Sequence, residues 1–169
     1  MSVLIAVVSG LGSGAMAAWW TTRSDRRERF RDRLIGAADD FVGAAAEALL
    51  TTRDAVSEVL SARGSEQIAA AIESAWRQRD TALHRSARVD LLFGPTNNPP
   101  ICANEVLHEL ANSLELLSFP EPDADAAERA SMKAAAALRR FHEAAAHAIQ
   151  KRNPTRTHVG PFAFVGKMK

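Results

Sequence analysis

The chain has 169 residues, of which 47% are apolar, and its 21 basic side chains nearly balance 20 acidic ones. This length suits one domain with a sizeable core and excludes a large multidomain enzyme. The charge balance excludes a generally basic nucleic-acid binder, and the single cysteine excludes an intramolecular disulfide. Alanine supplies 33 of the apolar residues, so the composition favours helices that bury little surface per turn.

The first 22 residues carry no charged side chain. The stretch from Val3 to Trp20 meets the requirement of about 18 to 20 residues for a membrane-spanning helix. Trp19 and Trp20 stand where an aromatic interface belt belongs, and a run of arginines follows that begins with Arg23, Arg26 and Arg27. Because no Lys or Arg precedes the segment, the positive-inside rule predicts an external N-terminus and a cytoplasmic remainder. Residues 1–22 are therefore predicted to anchor the chain in the lipid bilayer of a plasma membrane.

Three other interpretations of this segment are open. Ala15 and Ala17 fit the A-x-A pattern of a signal-peptide cleavage site, although a basic leading region is missing. Gly10, Gly12 and Ala15 fit a G-x-G-x-x-G/A dinucleotide fingerprint, but no second strand follows in residues 23–63. The third alternative is a helix buried in the core of a soluble bundle. The arginines directly after the segment favour the anchor.

Small residues recur every four positions within the predicted anchor, at Ala6, Gly10, Gly14 and Ala18. Such a stripe lets two spanning helices approach closely, and it predicts a homodimer through the anchor. The alternative is that Gly and Ala are simply common in membrane-spanning segments.

A first amphipathic helix is predicted from Arg23 to about Arg63, continuous with the anchor and ended near Gly64. Its predicted core stripe consists of Phe30, Leu34, Phe41, Ala48, Leu49, Val56 and Leu60. A second helix, capped by Ser65, is predicted to extend to about Phe93. Its predicted core stripe consists of Ile68, Ile72, Trp76, Leu83 and Ala87.

The proline-rich stretch from Gly94 to Pro100 is predicted as a loop. A third helix from about Ile101 to Ser118 follows, with a core stripe of Ala103, Leu107, Leu110, Leu114 and Leu117. Asp123 or Asp125 is predicted to start a fourth helix that ends near Arg152. The inward face of this helix consists of Ala127, Ala130, Ala134, Leu138, Phe141, Ala145 and Ile149.

Short connections between these helices predict an all-α fold, an up-down bundle of four helices in residues 23–153. In that topology the tail, residues 154–169, would begin near the bilayer. Basic and aromatic side chains in the tail, among them Arg156, Phe162 and Lys167, suit an anionic membrane surface. A disordered end, or a tail packed on the bundle through its two phenylalanines, is the alternative.

The sequence offers little sign of catalysis. Glu105 and His108 have the Glu-x-x-His spacing of di-iron bundles, with His142 or His147 as a possible partner, but the second copy that such sites need is missing. His108 and Glu109 begin an H-E-x-x-H zinc motif that fails at Asn112. Cys102 has no evident base, although its place near a helix start could lower its thiol pKa. Neither a cofactor nor a metal is expected.

The sequence from Arg23 to Phe30 has the form R-x-x-R-R-E-R-F. An anchor followed by this basic run and a helical domain resembles the plan of many short bacterial proteins, and 17 Arg against four Lys suggests a genome rich in G and C. The resemblance implies no activity. The predicted function is that of a membrane-anchored scaffold or accessory subunit, acting on an unknown protein partner; the alternatives are a soluble helical binding protein, or a metalloprotein that uses Glu105 and His108.

Overall fold

The computed structural model describes the backbone of residues 2–61 and 64–151, and within those ranges the side chains from residue 25 onward. Regular secondary structure in these ranges is entirely helical, which confirms the predicted all-α class. The four helices are α1 (Ser2–Leu60), α2 (Ser65–Phe93), α3 (Asn98–Ser118) and α4 (Ala124–Lys151).

Helix α1 is a single helix of 59 residues, so it is about 90 Å long. Its backbone passes without interruption from the uncharged segment into the bundle, as the sequence predicts. The first described side chain that is buried is Leu34, whereas the side chains of residues 25–30 are exposed. Helix α1 therefore extends N-terminally beyond the part of it that packs in the bundle.

The predicted anchor, 1–22, and the tail, 154–169, lie outside the residues whose side chains are described. Within the described part of the chain, no helical stretch combines the length and the apolarity needed to cross a membrane. The membrane anchor and the three-part division of the chain stay predictions.

The helices form an antiparallel bundle in which α1 packs on α2 and α4, and α3 packs on α2 and α4. Two exposed ion pairs link neighbouring helices. Arg88 of α2 donates to Asp40 of α1, and Arg140 of α4 donates to Glu105 of α3, each over 2.8 Å. The end of the bundle that contains these ion pairs, where α1 enters and α4 ends, is called the proximal end below. The distal end is the opposite one, where α1 and α3 end.

The proximal end contains the larger hydrophobic cluster. The rings of Phe41 and Phe141 meet edge to face with their centroids 4.7 Å apart, and both side chains are fully buried. Leucine and valine side chains from α1, α2 and α3 pack in the same cluster: Leu34, Leu49, Val89, Val106, Leu107 and Leu110. Over the whole bundle the predicted stripes of α1, α3 and α4 are confirmed, except that Phe30 and Leu60, at the two ends of the α1 stripe, are exposed and that Leu138 and Ile149 of α4 are half-buried.

A smaller cluster holds the distal end together. It contains Ala55, Val56, Leu117, Ala124 and Ala127, with Ile72 packed against it. A buried hydrogen bond also links α3 to α4 here, since the hydroxyl of Ser113 donates to the carbonyl oxygen of Ala127 over 2.7 Å.

The ends of the helices differ from the predictions in two details, whereas the predicted start of α4 at Asp123 is confirmed. Helix α2 begins after an N-cap at Gly64, and Ser65 is its first residue rather than its cap. Pro99 and Pro100 are not in a loop but in the first turn of α3, where proline is tolerated because no intrahelical N–H bond is lost. Asp123 caps α4, accepting a hydrogen bond from the Ala126 N–H over 2.8 Å.

The connection from α2 to α3 is correspondingly shorter than predicted. Gly94 ends α2 with φ at +86°, a conformation that favours glycine. The side-chain amide of Asn97 donates to the carbonyl oxygen of Phe93, which is one of the unpaired acceptors at the end of the helix. These residues turn the chain tightly and bring α3 alongside α2.

Candidate functional site

The face that α2 buries is not the predicted one. Its buried residues are Ala75, Ala82, Ser86, Val89 and Phe93. In contrast, Ile68, Ile72 and Trp76 are only half-buried, and Leu83 and Ala87 are exposed. The predicted core stripe of α2 is therefore wrong, and its three largest members in the first half of the helix lie at an edge of the core.

The reason for this difference is the shape of the neighbouring helix. Helix α1 presents small, fully buried side chains along its length, including Ala37, Ala45, Ala48 and Ala55. Helix α1 packs on α2, and small buried side chains such as Ala75 and Ala82 favour close packing, because the distance between packed helices follows the side chains at their contact. The bulkier face of α2 then turns toward α3 and solvent.

An open groove separates the first half of α2 from the end of α3, with a volume of about 550 Å³. We call it the distal groove. On one side its wall consists of Ser65, Ile68, Ala69, Ile72, Glu73 and Trp76, and on the other of Leu117, Ser118, Phe119 and Pro122. Phe119, just after α3, is 60% exposed. An apolar concavity that opens to solvent is characteristic of a docking surface.

The apolar side chains of the α2 wall follow the axis of the helix. Ile68, Ile72 and Trp76 recur every four residues, so they form one row about 12 Å long. The guanidinium carbon of Arg79 lies 5.8 Å from the centroid of the Trp76 ring, within the range of a cation–π contact. The row gives the groove an apolar floor with a fixed direction.

Acidic side chains predominate around the distal groove. Glu73 belongs to its wall and forms an exposed ion pair with Arg77. Glu66, Glu121 and Asp123 are exposed close by along the chain. Within residues 53–60, 65–80 and 113–131, which lie at the distal end, four basic residues, among them Arg79 at the Trp76 ring, face ten acidic ones: Asp54, Glu58, Glu66, Glu73, Asp80, Glu115, Glu121, Asp123, Asp125 and Glu128. These described residues therefore carry an excess of negative charge, which attracts cations.

The residues of the metalloprotein alternative are not assembled into a site. Glu105 is bound to Arg140, and His108, His142 and His147 are exposed. No three His, Cys, Asp or Glu side chains in the described part of the chain lie together in a way that could hold a metal ion.

Cys102 is half-buried near the start of α3, against the proximal cluster. Burial and, to a lesser extent, the negative charge of Glu105 raise the pKa of its thiol above the ordinary value of 9.0, whereas Arg140 has a smaller opposing effect. The suggestion that the helix start lowers this pKa is therefore wrong. A cysteine of this kind is a packed side chain rather than a nucleophile.

The residues predicted at the membrane interface and in the dimer stripe are described only in part. Arg26 and Arg27 lie on α1 and are exposed. The side chains of Trp19, Trp20 and Arg23, and those of Ala6, Gly10, Gly14 and Ala18, lie outside the described ones.

Comparison with protein-family models, with curated proteins and with solved structures finds nothing that matches this chain. The function of this chain can therefore be inferred only from its own sequence and from the geometry of the site.

Sequence reasoning missed the distal groove because it assigned Ile68, Ile72 and Trp76 to the core. A signal was present, since α2 has a second set of small and apolar residues, from Ala75 to Phe93, at helical spacing. Together with Ile68, Ile72 and Trp76 these residues form one broad apolar sector, and part of so wide a sector can stay at the edge of the core. Phe119 and Pro122 could not be identified this way, because they lie where α3 ends and periodicity no longer applies.

Proposed function

We propose that this protein is a membrane-anchored helical-bundle scaffold that acts without catalysis, by docking a segment of another protein in the distal groove. The observation that carries the proposal is the position of Ile68, Ile72 and Trp76. These side chains are large and apolar, yet they line an open groove, whereas the smaller Ala75, Ala82 and Ser86 of the same helix are buried. Keeping such side chains at the surface is unfavourable unless they contact a partner.

The anchor is proposed from the charge pattern of residues 1–33 together with the course of α1. An uncharged stretch is followed by arginines, and one uninterrupted helix leads from there into the bundle. In this arrangement the N-terminus lies outside the plasma membrane, the bundle lies in the cytoplasm, and the small-residue stripe pairs two copies.

In the proposed arrangement the groove would lie well away from the bilayer. Ile72 packs in the distal cluster with Val56, which is 23 residues after Arg33, the last arginine of the basic run. A helix rise of 1.5 Å per residue gives about 35 Å between the two levels. A partner would therefore be held in the cytoplasm, clear of the lipid headgroups.

Carbonate extraction of membranes from the native host tests the anchor. The full chain is expected to stay in the membrane pellet, and a variant with Leu4→Asp and Val7→Asp is expected to move to the supernatant. Release of the unchanged chain by carbonate would contradict the anchor and favour the soluble alternative.

Disulfide crosslinking tests the dimer. In a Cys102→Ser background, oxidation of Gly10→Cys or Gly14→Cys is expected to give a disulfide-linked dimer, and a lack of dimer would count against the small-residue stripe.

Site-specific photo-crosslinking tests the docking. A photoreactive residue at Ile68 is expected to give a discrete adduct in cells, whereas the same residue at Leu91 is expected to give none. Leu91 is a matched control because it is on the same helix, is 82% exposed and lies far from the groove. Equal labelling at both positions, or no adduct at Ile68, would contradict docking in the groove.

A further inference from the structure

We infer that the segment bound by the distal groove is a basic amphipathic helix, which inserts apolar side chains between α2 and α3 and places lysines or arginines over the acidic rim. This inference rests on the proposed docking function and adds the chemistry of the partner.

The dimensions of the groove fit a helix. The three apolar side chains of α2 recur about every 6 Å along its axis, which is the distance between i and i+4 positions of a second helix lying alongside. A polyproline helix repeats at about 9 Å and would not match this row. Pairing with an added strand needs a free sheet edge, and the described residues contain no sheet.

The size of the groove fits a short segment rather than a domain. Its volume of about 550 Å³ is that of a side-chain pocket, and its floor extends for two to three helical turns between Ile68 and Trp76. Helices that bind in grooves of this kind do so through apolar residues at i, i+3 or i+4, and i+7. Leu117 and Phe119, on the opposite wall, would contact the other side of the same apolar stripe.

The charge of the surroundings selects a basic partner. Glu73 lines the groove, Glu121 and Asp123 flank Pro122 in the sequence, and the described residues 53–60, 65–80 and 113–131 of the distal end carry ten acidic against four basic side chains. Such a field increases the rate at which a cationic segment associates and disfavours an acidic one.

Binding of designed peptides to the full chain tests the inference. The chain is placed in phosphatidylcholine nanodiscs, with Trp19→Phe and Trp20→Phe so that Trp76 is the only tryptophan. The probes are an 18-residue amphipathic peptide of leucine and lysine, the same peptide with glutamate for lysine, a proline-rich peptide, and the chain's own residues 152–169 as a peptide. The leucine–lysine peptide is expected to shift Trp76 emission to the blue at micromolar concentration, and the glutamate peptide is expected to bind at least about tenfold more weakly.

Three variants locate the binding. Ile72→Asp is expected to weaken the leucine–lysine peptide about tenfold or more, whereas Leu91→Asp leaves its affinity unchanged. Glu73→Lys, at an exposed position that leaves the fold intact, is expected to weaken this peptide and to reduce the salt dependence of its affinity. This charge variant keeps the test valid should Ile72→Asp lower the stability of the bundle.

Several results would overturn the inference. They are equal affinity for the lysine and glutamate peptides, an affinity that Ile72→Asp and Glu73→Lys leave unchanged, and tighter binding of the proline-rich peptide. Tighter binding of the 152–169 peptide would also overturn it, because the occupant would then be a segment of this chain. An adduct at Ile68 without binding of the leucine–lysine peptide would disprove the partner chemistry while leaving the docking proposal standing.

Discussion

The two ends of the bundle use their large apolar residues differently. At the proximal end Phe41, Phe141 and Val89 are fully buried in one hydrophobic cluster. At the distal end Ile68, Ile72 and Trp76 of α2 are half-buried, Phe119 is exposed, and small residues make up much of the cluster. Helix α2 contributes to both ends: its large apolar residues are half-buried in its first half, whereas Val89 and Phe93 in its second half are buried.

This contrast separates folding from binding within one short bundle. The proximal end contains the larger hydrophobic cluster and so contributes more to holding the helices together, whereas the distal end leaves part of its apolar surface open in the groove. Substitutions at the two ends are therefore expected to have different consequences, and equal consequences would show that the distinction is false.

The largest difference is expected for the same substitution at the two ends. Phe141→Ala removes a buried ring whose centroid lies 4.7 Å from that of the Phe41 ring. We expect a loss of about 3–5 kcal/mol in the free energy of unfolding. Phe119→Ala removes a ring that is 60% exposed, and we expect a loss below about 1 kcal/mol. Urea denaturation followed by circular dichroism measures both values, and similar losses would disprove the contrast.

A second comparison lies within α2. Val89→Ala is expected to cost about 2 kcal/mol, because Val89 is fully buried in the proximal cluster. Ile72→Ala removes more carbon atoms, yet we expect a cost of only about 1 kcal/mol, since this side chain is half-buried and borders the groove. Thermal denaturation of the two variants checks the order. If Ile72→Ala is the more damaging, Ile72 belongs to the core.

Two buried serines sharpen the description of the distal end. Ser113→Ala breaks the hydrogen bond to the Ala127 carbonyl, and we expect a loss of about 1–1.5 kcal/mol. The buried hydroxyl of Ser131 has no hydrogen-bond partner in the described part of the chain, so Ser131→Ala is expected to be neutral or stabilising. Denaturation midpoints give the comparison, and a clear loss in Ser131→Ala would reveal a partner for that hydroxyl.

The smallest expected effect is on the reactivity of the Cys102 thiol at the proximal end. Because burial and Glu105 raise the pKa of Cys102, its alkylation by iodoacetamide should reach half of its maximal rate above pH 9.0. The folded state holds this proton more tightly than the unfolded state, so the contribution of Cys102 to stability is present below pH 9 and is lost as the pH rises through the folded pKa.

Glu105→Gln provides the matched test, because it removes a negative charge that raises the pKa of Cys102. The midpoint of the alkylation profile is expected to shift to lower pH. Burial still raises the pKa of Cys102 in this variant, so only part of the increase in pKa is lost. A midpoint below pH 9.0 in the unchanged chain would contradict the packed environment of Cys102.

The sequence by itself determined the number of helices, their approximate bounds and the buried faces of α1, α3 and α4. Those faces follow from periodicity, since apolar residues such as Leu107, Leu110 and Leu114 recur with the helical repeat and must leave water. The charge pattern before Leu34 likewise comes from the sequence alone, and the membrane anchor rests on it as a prediction.

Only the tertiary structure decided which face of α2 is buried. Helix α2 has one broad apolar sector, and its bulky members in the first half of the helix, Ile68, Ile72 and Trp76, are only half-buried. Small residues such as Ala75 and Ala82 are buried instead, and small side chains at a contact favour a close approach of the two helices. Periodicity identifies the apolar residues of a helix, but it does not show which of them a neighbouring helix will cover. The groove exists because Ala75 and Ala82 are buried, whereas Ile68, Ile72 and Trp76 stay at the edge of the core.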